Sequence, residues 1–298
     1  MTTSGTLTFV IINPVSGPAS RGTAEQRVQL ATDALDAVGL RAEIFLTESE
    51  GHASDLARHA VGAGADLVIA WGGDGTINEV GRTLAFSDTA LGIVPAGSGN
   101  GLARELGIPF SPRAALAHAL TKPVREIDAA EIEGRLFFNV AGIGLDALVA
   151  ERVSRKHHAH GGLRRYIIAS SRELMDYAPV EYTIRTDTDT FCQTALVVVI
   201  ANSRQYGYGA CIAPTASFTD GQLDLVIIED RGLAGNPFRM PSLMTGRLHR
   251  RSGVIVRKVK AVTIAAAAPM DFHVDGEAFA GGVQLSAHVR PAALRVRA

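Results

Sequence analysis

Residues 66–80, with the sequence DLVIAWGGDGTINEV, decide the fold of the first half of the chain. The apolar residues 67–70 predict a buried strand, and the apolar residues after the glycines recur at helical spacing. The glycines between them allow a sharp turn and a close approach of the backbone to another group. Because free N–H groups at the start of a helix favour an anion, this strand, turn and helix predict a phosphate site.

Asp74 stands within this glycine turn, and Thr76 is the predicted N-cap of the helix. A carboxylate near phosphates would repel them unless it held a Mg²⁺ ion or took a proton from an attacking hydroxyl. Both roles indicate phosphoryl transfer. The alternative is an ordinary strand-to-helix turn in which Asp serves only the turn. The stretch has neither the Lys-Ser/Thr end of a P-loop nor the spacing of the dinucleotide fingerprint.

Length and charge limit the class of protein. The 298 residues suffice for two domains with separate cores. A formal charge of −1 argues against a nucleic-acid partner, so any anionic partner must be met by local basic patches. Cys192 and Cys211 have no metal-ligand spacing, which predicts a reducing, cytoplasmic location. No signal peptide is expected, and the apolar runs 196–201 and 261–268 are too short to span a bilayer, which predicts peripheral contact with lipid.

Strands and helices alternate through residues 1–123, which predicts an α/β domain with a parallel sheet covered on both faces. Ligands of such sheets lie beyond the carboxyl ends of the strands, so the turns that follow the strands are expected to meet in one crevice. These turns lie at residues 13–17, at Thr47, at 72–75 and at 97–101. The first helix has a predicted capping box of Thr23 and Gln26, and its predicted apolar face is Val28, Ala31, Leu35 and Val38.

From residue 124 strand-like segments dominate, which predicts a second, mainly antiparallel β-sandwich domain over residues 124–298. The last strand is a candidate to return to the first domain. The predicted strands are residues 125–132, 136–140, Val180–Thr186, 195–201, Leu223–Ile228 and 259–265.

The segment 152–165, RVSRKHHAHGGLRR, carries His157, His158 and His160 among cations, which disfavour a metal site. We interpret it as a solvated loop. The functional alternative is attraction to anionic lipid headgroups. That role would be shared with Arg247, Arg250, Arg251, Arg257 and Lys258.

Motifs stand in order along the chain: NPVSG at 13–17, GGDGTIN at 72–78 and PAGSGNGLAR at 95–104. This ordered set resembles the nucleotide motifs of the lipid kinase family that holds diacylglycerol kinases, sphingosine kinases and their bacterial relatives. Residues 220–224, DGQLD, resemble the family's structural-metal loop, and residues 275–277, DGE, its terminal motif. The resemblance covers most of the chain. It implies an ATP-binding α/β domain, a C-terminal β-sandwich and an active site between them.

The resemblance implies ATP and Mg²⁺ as cofactors. The implied nucleotide-binding residues are Asn13, Pro14, Ser16, Gly17, Thr47, Gly72, Gly73, Asp74, Gly75, Thr76, Asn78, Gly97 and Ser98. A structural Mg²⁺ is expected on the Asp220 carboxylate and on main-chain oxygens near Ser217 and Gln222. Asp128 matches an acid of the family's charged network. Gly101 stands where many members of this family carry Asp, so this sequence departs from the family's pattern at that position.

The expected reaction is ATP- and Mg²⁺-dependent transfer of the γ-phosphate to a primary hydroxyl of a membrane lipid, either diacylglycerol or a sphingoid long-chain base. Glu277 is the expected general base, because a metal-bound Asp74 would be a poor proton acceptor. The loop PAGSGN resembles the sphingosine-kinase branch.

The alternatives are an NAD kinase, which shares GGDGT but lacks the other two loops, and a catalytically silent nucleotide- or lipid-binding regulator, against which Asp74 and Glu277 argue. The expected partners are a lipid substrate and an anionic membrane surface, with a homodimer left open.

Overall fold

The computed structural model describes residues 7–17, 22–154, 177–207, 209–232 and 240–298. The chain divides into two compact units. The first unit is Met1–Ile127 with Ala292–Ala298, and the second is Asp128–Pro291. His157, His158 and His160 lie outside the described residues. Within the described ranges, no helix combines the length and the apolar character that crossing a bilayer requires.

The helices are α1 (Ala24–Asp36), α2 (His52–Gly62), α3 (Asp74–Leu84), α4 (Gly101–Glu105), α5 (Pro112–Thr121), α6 (Leu145–Ser154) and α7 (Met240–Met244), with a 3₁₀ turn at Leu248–Arg250. The strands up to the middle of the chain are β1 (Thr8–Ile12), β2 (Ala42–Leu46), β3 (Leu67–Gly72), β4 (Ala90–Pro95), β5 (Val124–Ile132), β6 (Arg135–Phe137), β7 (Val140–Gly144), β8 (Val180–Thr186) and β9 (Thr190–Ala195). The remaining strands are β10 (Val197–Ala201), β11 (Gln205–Gly207), β12 (Ala210–Cys211), β13 (Leu223–Ile228), β14 (Val254–Val259), β15 (Ala261–Ala265), β16 (Phe272–Val274), β17 (Glu277–Phe279) and β18 (Gln284–Arg297).

The first unit is the predicted α/β fold with a parallel sheet. Its strands are ordered β2-β1-β3-β4, and the end of β18 lies parallel to β4 through the pair Val296 and Leu91. Every residue of β1, β3 and β4 is buried, as expected for strands with helices on both faces of the sheet. Leu294 and Val296 are fully buried, so the end of β18 belongs to this core.

The second unit is the predicted antiparallel sandwich. One sheet joins β18, β15, β8 and β9 and takes in the β5–β6 hairpin, and the other has the order β14-β13-β10-β7-β16-β17. Apolar residues of both sheets, among them Ile264 and Leu225, form one core cluster. Every residue of β10 is buried: Val198 faces this cluster, and Val199 faces a second cluster that contains residues of α6.

The predicted strand 136–140 is wrong, because β6 ends at Phe137 and β7 begins at Val140. Phe138 and Asn139 donate their backbone N–H groups to the carboxylate of Asp275, at 3.1 and 3.0 Å. Because these N–H groups donate to a side chain, they do not pair with a neighbouring strand, and the predicted strand is interrupted at residues 138 and 139.

The predicted strand 259–265 is also two strands, because β14 and β15 belong to different sheets. Lys260 lies between them, and its N–H donates to the carboxylate of Asp187 at 3.2 Å. The predicted strand 195–201 likewise joins the end of β9 to β10, with Leu196 between them.

The prediction that Thr76 caps the third helix is wrong. Helix α3 begins at Asp74 and has Gly73 as its N-cap, so Thr76 lies in the first turn with its side chain buried. The glycine turn therefore passes directly into the helix.

The predicted capping box of α1 is present. The Thr23 hydroxyl accepts from the Gln26 N–H, and the Gln26 amide oxygen accepts from the Thr23 N–H. The predicted apolar face is wrong at its end, because Val38 lies beyond the helix and is 44% exposed. Arg27, in contrast, is buried.

Candidate active site

The predicted turns lie at the carboxyl ends of the neighbouring strands β2, β1, β3 and β4 of the first unit. Thr47 follows β2 directly, and its N–H donates to the Ile12 carbonyl at 2.9 Å. The side-chain amide of Asn13 donates to the hydroxyl of Thr76 at 2.9 Å and thereby joins the turn after β1 to helix α3. The structure thus brings the first and third turns together at one edge of the sheet.

The turns at 72–75 and 97–101 pack backbone against backbone. A Cβ atom on Gly97 would lie 2.7 Å from the Cα atom of Gly73, and one on Gly99 would lie 2.7 Å from a carboxylate oxygen of Asp74. Both distances are too short for real Cβ contacts. Glycine is therefore required at position 97 for the two backbones to meet, whereas a side chain at position 99 would displace the carboxylate of Asp74.

Asp74 joins these turns through its carboxylate. Its Oδ2 accepts from the Asn100 N–H at 2.8 Å, and its Oδ1 accepts from the Gly101 N–H at 2.7 Å. Asn100 has a left-handed φ of 51°, and its side-chain amide bonds both the N–H and the carbonyl of Gly97. Gly101 therefore contributes to the site through its backbone N–H group.

This arrangement fits a phosphate and a hard cation. The first N–H groups of α3 have no partners within the helix and point towards its N-terminal end. A carboxylate offers about four acceptor positions, so each Asp74 oxygen keeps capacity beyond the one N–H bond described above. Carboxylate oxygen is also the donor type that Mg²⁺ prefers.

Arg27 is a site residue that the sequence analysis missed. It is only 2% exposed and reaches from α1 to the turn after β1. Its guanidinium donates to the Asn13 carbonyl at 2.7 Å, to the Ser16 carbonyl at 2.8 Å and to the Ser16 hydroxyl at 3.0 Å. Because the guanidinium fork is planar and rigid, Arg27 fixes the shape of the NPVSG turn. The sequence did hold a signal for this burial, because Arg27 precedes Ala31 by four residues and therefore lies on the buried apolar face of α1.

The other predicted nucleotide residues differ in exposure. Gly75 and Ser98 are exposed, whereas Thr76 and Asn78 are buried within α3. The hydroxyl of Thr76 is engaged by Asn13, so its position supports the shape of the turn. The remaining predicted residues are at least partly accessible, except for buried Gly72: they are Asn13, Pro14, Ser16, Gly17, Thr47, Gly73, Asp74 and Gly97.

The DGE motif of the second unit is a hairpin turn between β16 and β17. Asp275 and Gly276 have φ of 50° and 90°, which is the left-handed pair of a two-residue type I′ turn. The Asp275 carboxylate accepts backbone N–H groups of residues 138, 139 and 140 at 3.0 to 3.1 Å. Glu277 is the exposed first residue of β17. Asp275 therefore anchors the turn, and Glu277 is presented to solvent.

A buried ionisable pair next to this turn was also missed. His273 Nε2 lies 2.6 Å from Asp146 Oδ2, and both residues are buried. Burial alone would lower the pKa of His273, but the Asp146 carboxylate, with a smaller contribution from Asp275, raises the pKa above its usual value. No sequence pattern indicated this pair, since its members are 127 positions apart.

The predicted metal loop contains a lysine contact that the sequence analysis did not foresee. Asp220 accepts from the Gln222 N–H at 3.0 Å and lies 2.6 Å from Lys258 Nζ. Lys258 also lies 2.7 Å from the carboxylate of buried Asp224, its partner across the β13–β14 pair. Burial works against the charge of Lys258, but both carboxylates outweigh it and raise the pKa of the ammonium. Asp128 completes the loop by accepting from the Gly221 N–H at 2.8 Å.

A metal ion on Asp220 would therefore share or displace the ammonium of Lys258. Within the described residues, no cluster of three or more His, Cys, Asp or Glu side chains is arranged to hold a metal ion. The metal role of Ser217, Asp220 and Gln222 stays a prediction. Lys258 pairs with the carboxylates of Asp220 and Asp224, so we no longer include it among the residues expected to face a membrane.

Two family models match the chain. The model "Diacylglycerol kinase catalytic domain" matches residues 8–132, and the model "YegS C-terminal NAD kinase beta sandwich-like domain" matches residues 139–298. Both matches follow the same division into an α/β half and a β-sandwich half that the structure has.

Relatives of known name match over nearly the whole chain. A diacylglycerol kinase of Mycobacterium tuberculosis is 30% identical and covers 96% of this chain and 93% of its own length. A Pseudomonas fluorescens protein named "Probable lipid kinase YegS-like" is 31% identical, with 91% and 90% covered. The crystal structure of a diacylglycerol kinase from Bacillus anthracis has a TM-score of 0.76 at 19% identity, covering 99% and 97% of the two chains, and supports the fold.

The Lys258 contact predicts how the Asp220 loop responds to charge removal. Lys258→Met keeps much of the side chain and leaves buried Asp224 without its cation. We expect a loss of ~1–3 kcal/mol of unfolding free energy, less than for a fully buried pair because the Lys258 side chain is 32% exposed. We also expect Mg²⁺ to raise the melting temperature of this variant more than that of the wild type, because the freed carboxylates can accept a cation.

Thermal unfolding with EDTA and with excess Mg²⁺ measures both effects. Lys260→Met is the matched control, since Lys260 is exposed in the link between β14 and β15 and should change stability by less than ~0.5 kcal/mol. An equal Mg²⁺ response in wild type and Lys258→Met would contradict the competition between lysine and metal.

Proposed function

This chain belongs to the diacylglycerol kinase family and is a lipid kinase, and we propose that it transfers the γ-phosphate of ATP, with Mg²⁺, to a primary hydroxyl of a membrane lipid. The proposed substrate class is diacylglycerol or a sphingoid long-chain base. The observation that carries the proposal is the placement of Asp74, an acid held between two glycine turns at the first turn of α3.

The first unit supplies the nucleotide part of the proposal. Because Gly73 and Gly97 have no side chains where they pack together, a phosphate chain can approach the backbone of these two turns. Arg27 and Thr76 hold the NPVSG turn on either side through Asn13. When bound, ATP supplies the phosphoryl group and Mg²⁺ neutralises the charge that develops on it. The role of the protein here is to bind, orient and exclude competing water.

The proposed general base is Glu277. Both oxygens of Asp74 accept backbone N–H bonds, and the Asp275 carboxylate accepts three, so these acids serve the shape of their loops. Glu277 is exposed and follows a turn that Asp275 anchors, which suits a carboxylate that must meet a substrate hydroxyl.

The NAD kinase alternative has lost its support, because the relatives of this chain carry the names of lipid kinases. A catalytically silent nucleotide- or lipid-binding regulator would bind the same ligands as the proposed kinase but would not transfer phosphate. Labelled ATP incubated with the protein, Mg²⁺ and a total lipid extract separates them. We expect one phosphorylated lipid as the labelled product, and its identity gives the substrate. Label that stays in ATP and free phosphate under all conditions would support the regulator.

Exchange of the two site carboxylates for amides tests their separate roles. Glu277→Gln should lower kcat by about 10²–10⁴-fold and leave the KM for ATP and the melting temperature unchanged, because only proton transfer is lost. Asp74→Asn should lower the melting temperature as well as turnover, since an amide cannot accept both N–H bonds of residues 100 and 101.

Steady-state kinetics and thermal unfolding of both variants provide the measurement. Glu181→Gln, an exposed carboxylate on β8 of the second unit, is the control and should match the wild type. Near-normal turnover of Glu277→Gln would place the base elsewhere.

Peripheral membrane contact through basic residues is the second part of the proposal. Of the predicted residues, Arg257 pairs with Asp189 and Lys258 lies in the Asp220 loop. Arg247 and Arg250 are exposed, and Met244, three residues before Arg247 in the chain, is 49% exposed. A cationic surface with an exposed apolar side chain suits an anionic bilayer.

We therefore expect the double charge reversal Arg247→Glu with Arg250→Glu to weaken sedimentation with anionic vesicles and to leave sedimentation with neutral vesicles unchanged. Wild-type binding should fall with added salt, because exposed charges are screened. Binding that is equal on neutral and anionic vesicles at every salt concentration would rule out the electrostatic contact.

A further inference from the structure

Asp146 and His273 form a buried pair that the proposed reaction does not use. Asp146 lies in the first turn of α6, and His273 is the central residue of β16. They are 3% and 4% exposed, and His273 Nε2 is 2.6 Å from Asp146 Oδ2. A Cβ atom on Gly142 of β7 would collide with both side chains, so the backbone of β7 closes the pair in.

The second ring nitrogen of His273 reaches the DGE turn. His273 Nδ1 accepts a hydrogen bond from the Gly276 N–H at 3.3 Å. In the neutral imidazole, the nitrogen that accepts an N–H bond carries no proton, so Nε2 bears the ring hydrogen and donates it to Asp146. Asp146 thus sets the tautomer of His273, and the ring presents an acceptor to the peptide that precedes Glu277. A hydrogen bond at one ring nitrogen of a histidine fixes the tautomer and thereby decides whether the other nitrogen donates or accepts.

The turn is held from two sides. Asp275 anchors it to the segment 138–140, and His273 holds the Gly276 peptide. Fold stability alone does not call for a buried ionisable pair, because apolar residues of similar volume stabilise a core at least as well. The contact holds the N–H of Gly276, the residue directly before Glu277. The Glu277 carboxylate must lie within hydrogen-bond reach of the hydroxyl it deprotonates.

We propose that Asp146 and His273 are positioning residues that orient the Gly276 peptide and thereby Glu277 for proton transfer. This inference rests on the proposed role of Glu277 as the general base. It assigns a function to a pair outside the DGE motif, and it predicts that the acceptor at Nδ1 matters more for turnover than the donor at Nε2.

Two amide substitutions separate the two ring nitrogens. His273→Asn places an amide oxygen near the position of Nδ1 and keeps the acceptor for Gly276. His273→Gln extends an amide towards Asp146 and leaves the Gly276 N–H without that acceptor. We expect kcat of the Asn variant to stay within about threefold of wild type and kcat of the Gln variant to fall about 10- to 100-fold, because small displacements of a reacting group are costly. The KM for ATP should be unchanged in both.

Hydrogen exchange at the Gly276 amide gives a readout that does not depend on activity. Exchange should be slow in the wild type and in His273→Asn, and faster in His273→Gln. Asp146→Asn is a second variant: its amide oxygen can still accept from Nε2, so we expect a smaller loss of turnover than for His273→Gln. His288→Gln is the control, since His288 lies in the same unit with 44% of its side chain exposed.

The outcomes distinguish the inference from the function on which it rests. In a Glu277→Gln background, His273→Gln should cause no further loss of turnover, because the residue acts through Glu277. If Glu277→Gln alone retains wild-type turnover, the proposed base is wrong and the inference falls with it. If Glu277→Gln is impaired but the Asn and Gln variants of His273 have equal kcat or equal exchange at Gly276, the positioning role alone is overturned.

Discussion

The carboxylate of Asp74 is the contact on which the nucleotide end of the first unit depends. Asp74 lies in the first turn of α3, and its carboxylate accepts the N–H groups of Asn100 and Gly101 at the start of α4. One side chain thus joins the turns that follow β3 and β4. Glycine makes this possible, because any side chain at position 97 would separate the two backbones. Arg27 stabilises the neighbouring turn after β1 from within the helix layer. The edge of the sheet is thus preorganised before any ligand arrives.

The same device recurs in the other Asp-Gly pairs. Asp220 accepts an N–H within its own loop, and Asp275 accepts the N–H groups of the interrupted segment between β6 and β7. In each motif the Asp shapes the backbone. Gly221 and Gly276 also permit their turns, with left-handed φ of 65° and 90°, whereas Gly75 lies in the first turn of α3. Each of these acids thus shapes its own loop, and Glu277, the residue proposed to move a proton, is exposed beside one of them.

Local patterns sufficed to predict the parallel sheet, the sandwich and the turns at the sheet edge. The β-branched runs and the glycine turns are short-range signals, which is why Val180–Thr186 and Leu223–Ile228 are strands with the predicted bounds. Long-range partners had no such signal. The splitting of 136–140 depends on Asp275, and the pairing of Lys258 with Asp224 depends on the register of β13 and β14. Charge alone placed Lys258 on the surface, and only the register shows what neutralises it.

The end of β18 has a consequence for the order of synthesis. Residues 292–298 complete the first unit: Ala293 accepts from the N–H of Phe86, and Val296 pairs with β4. On the ribosome these residues emerge only after the whole of the second unit, Asp128–Pro291, has been translated. Until then the β4 side of the nucleotide sheet is an unpaired strand edge, a state that favours aggregation and that chaperones bind. The first unit therefore cannot complete its sheet until residues 292–298 have been translated, although most of its sequence is translated first.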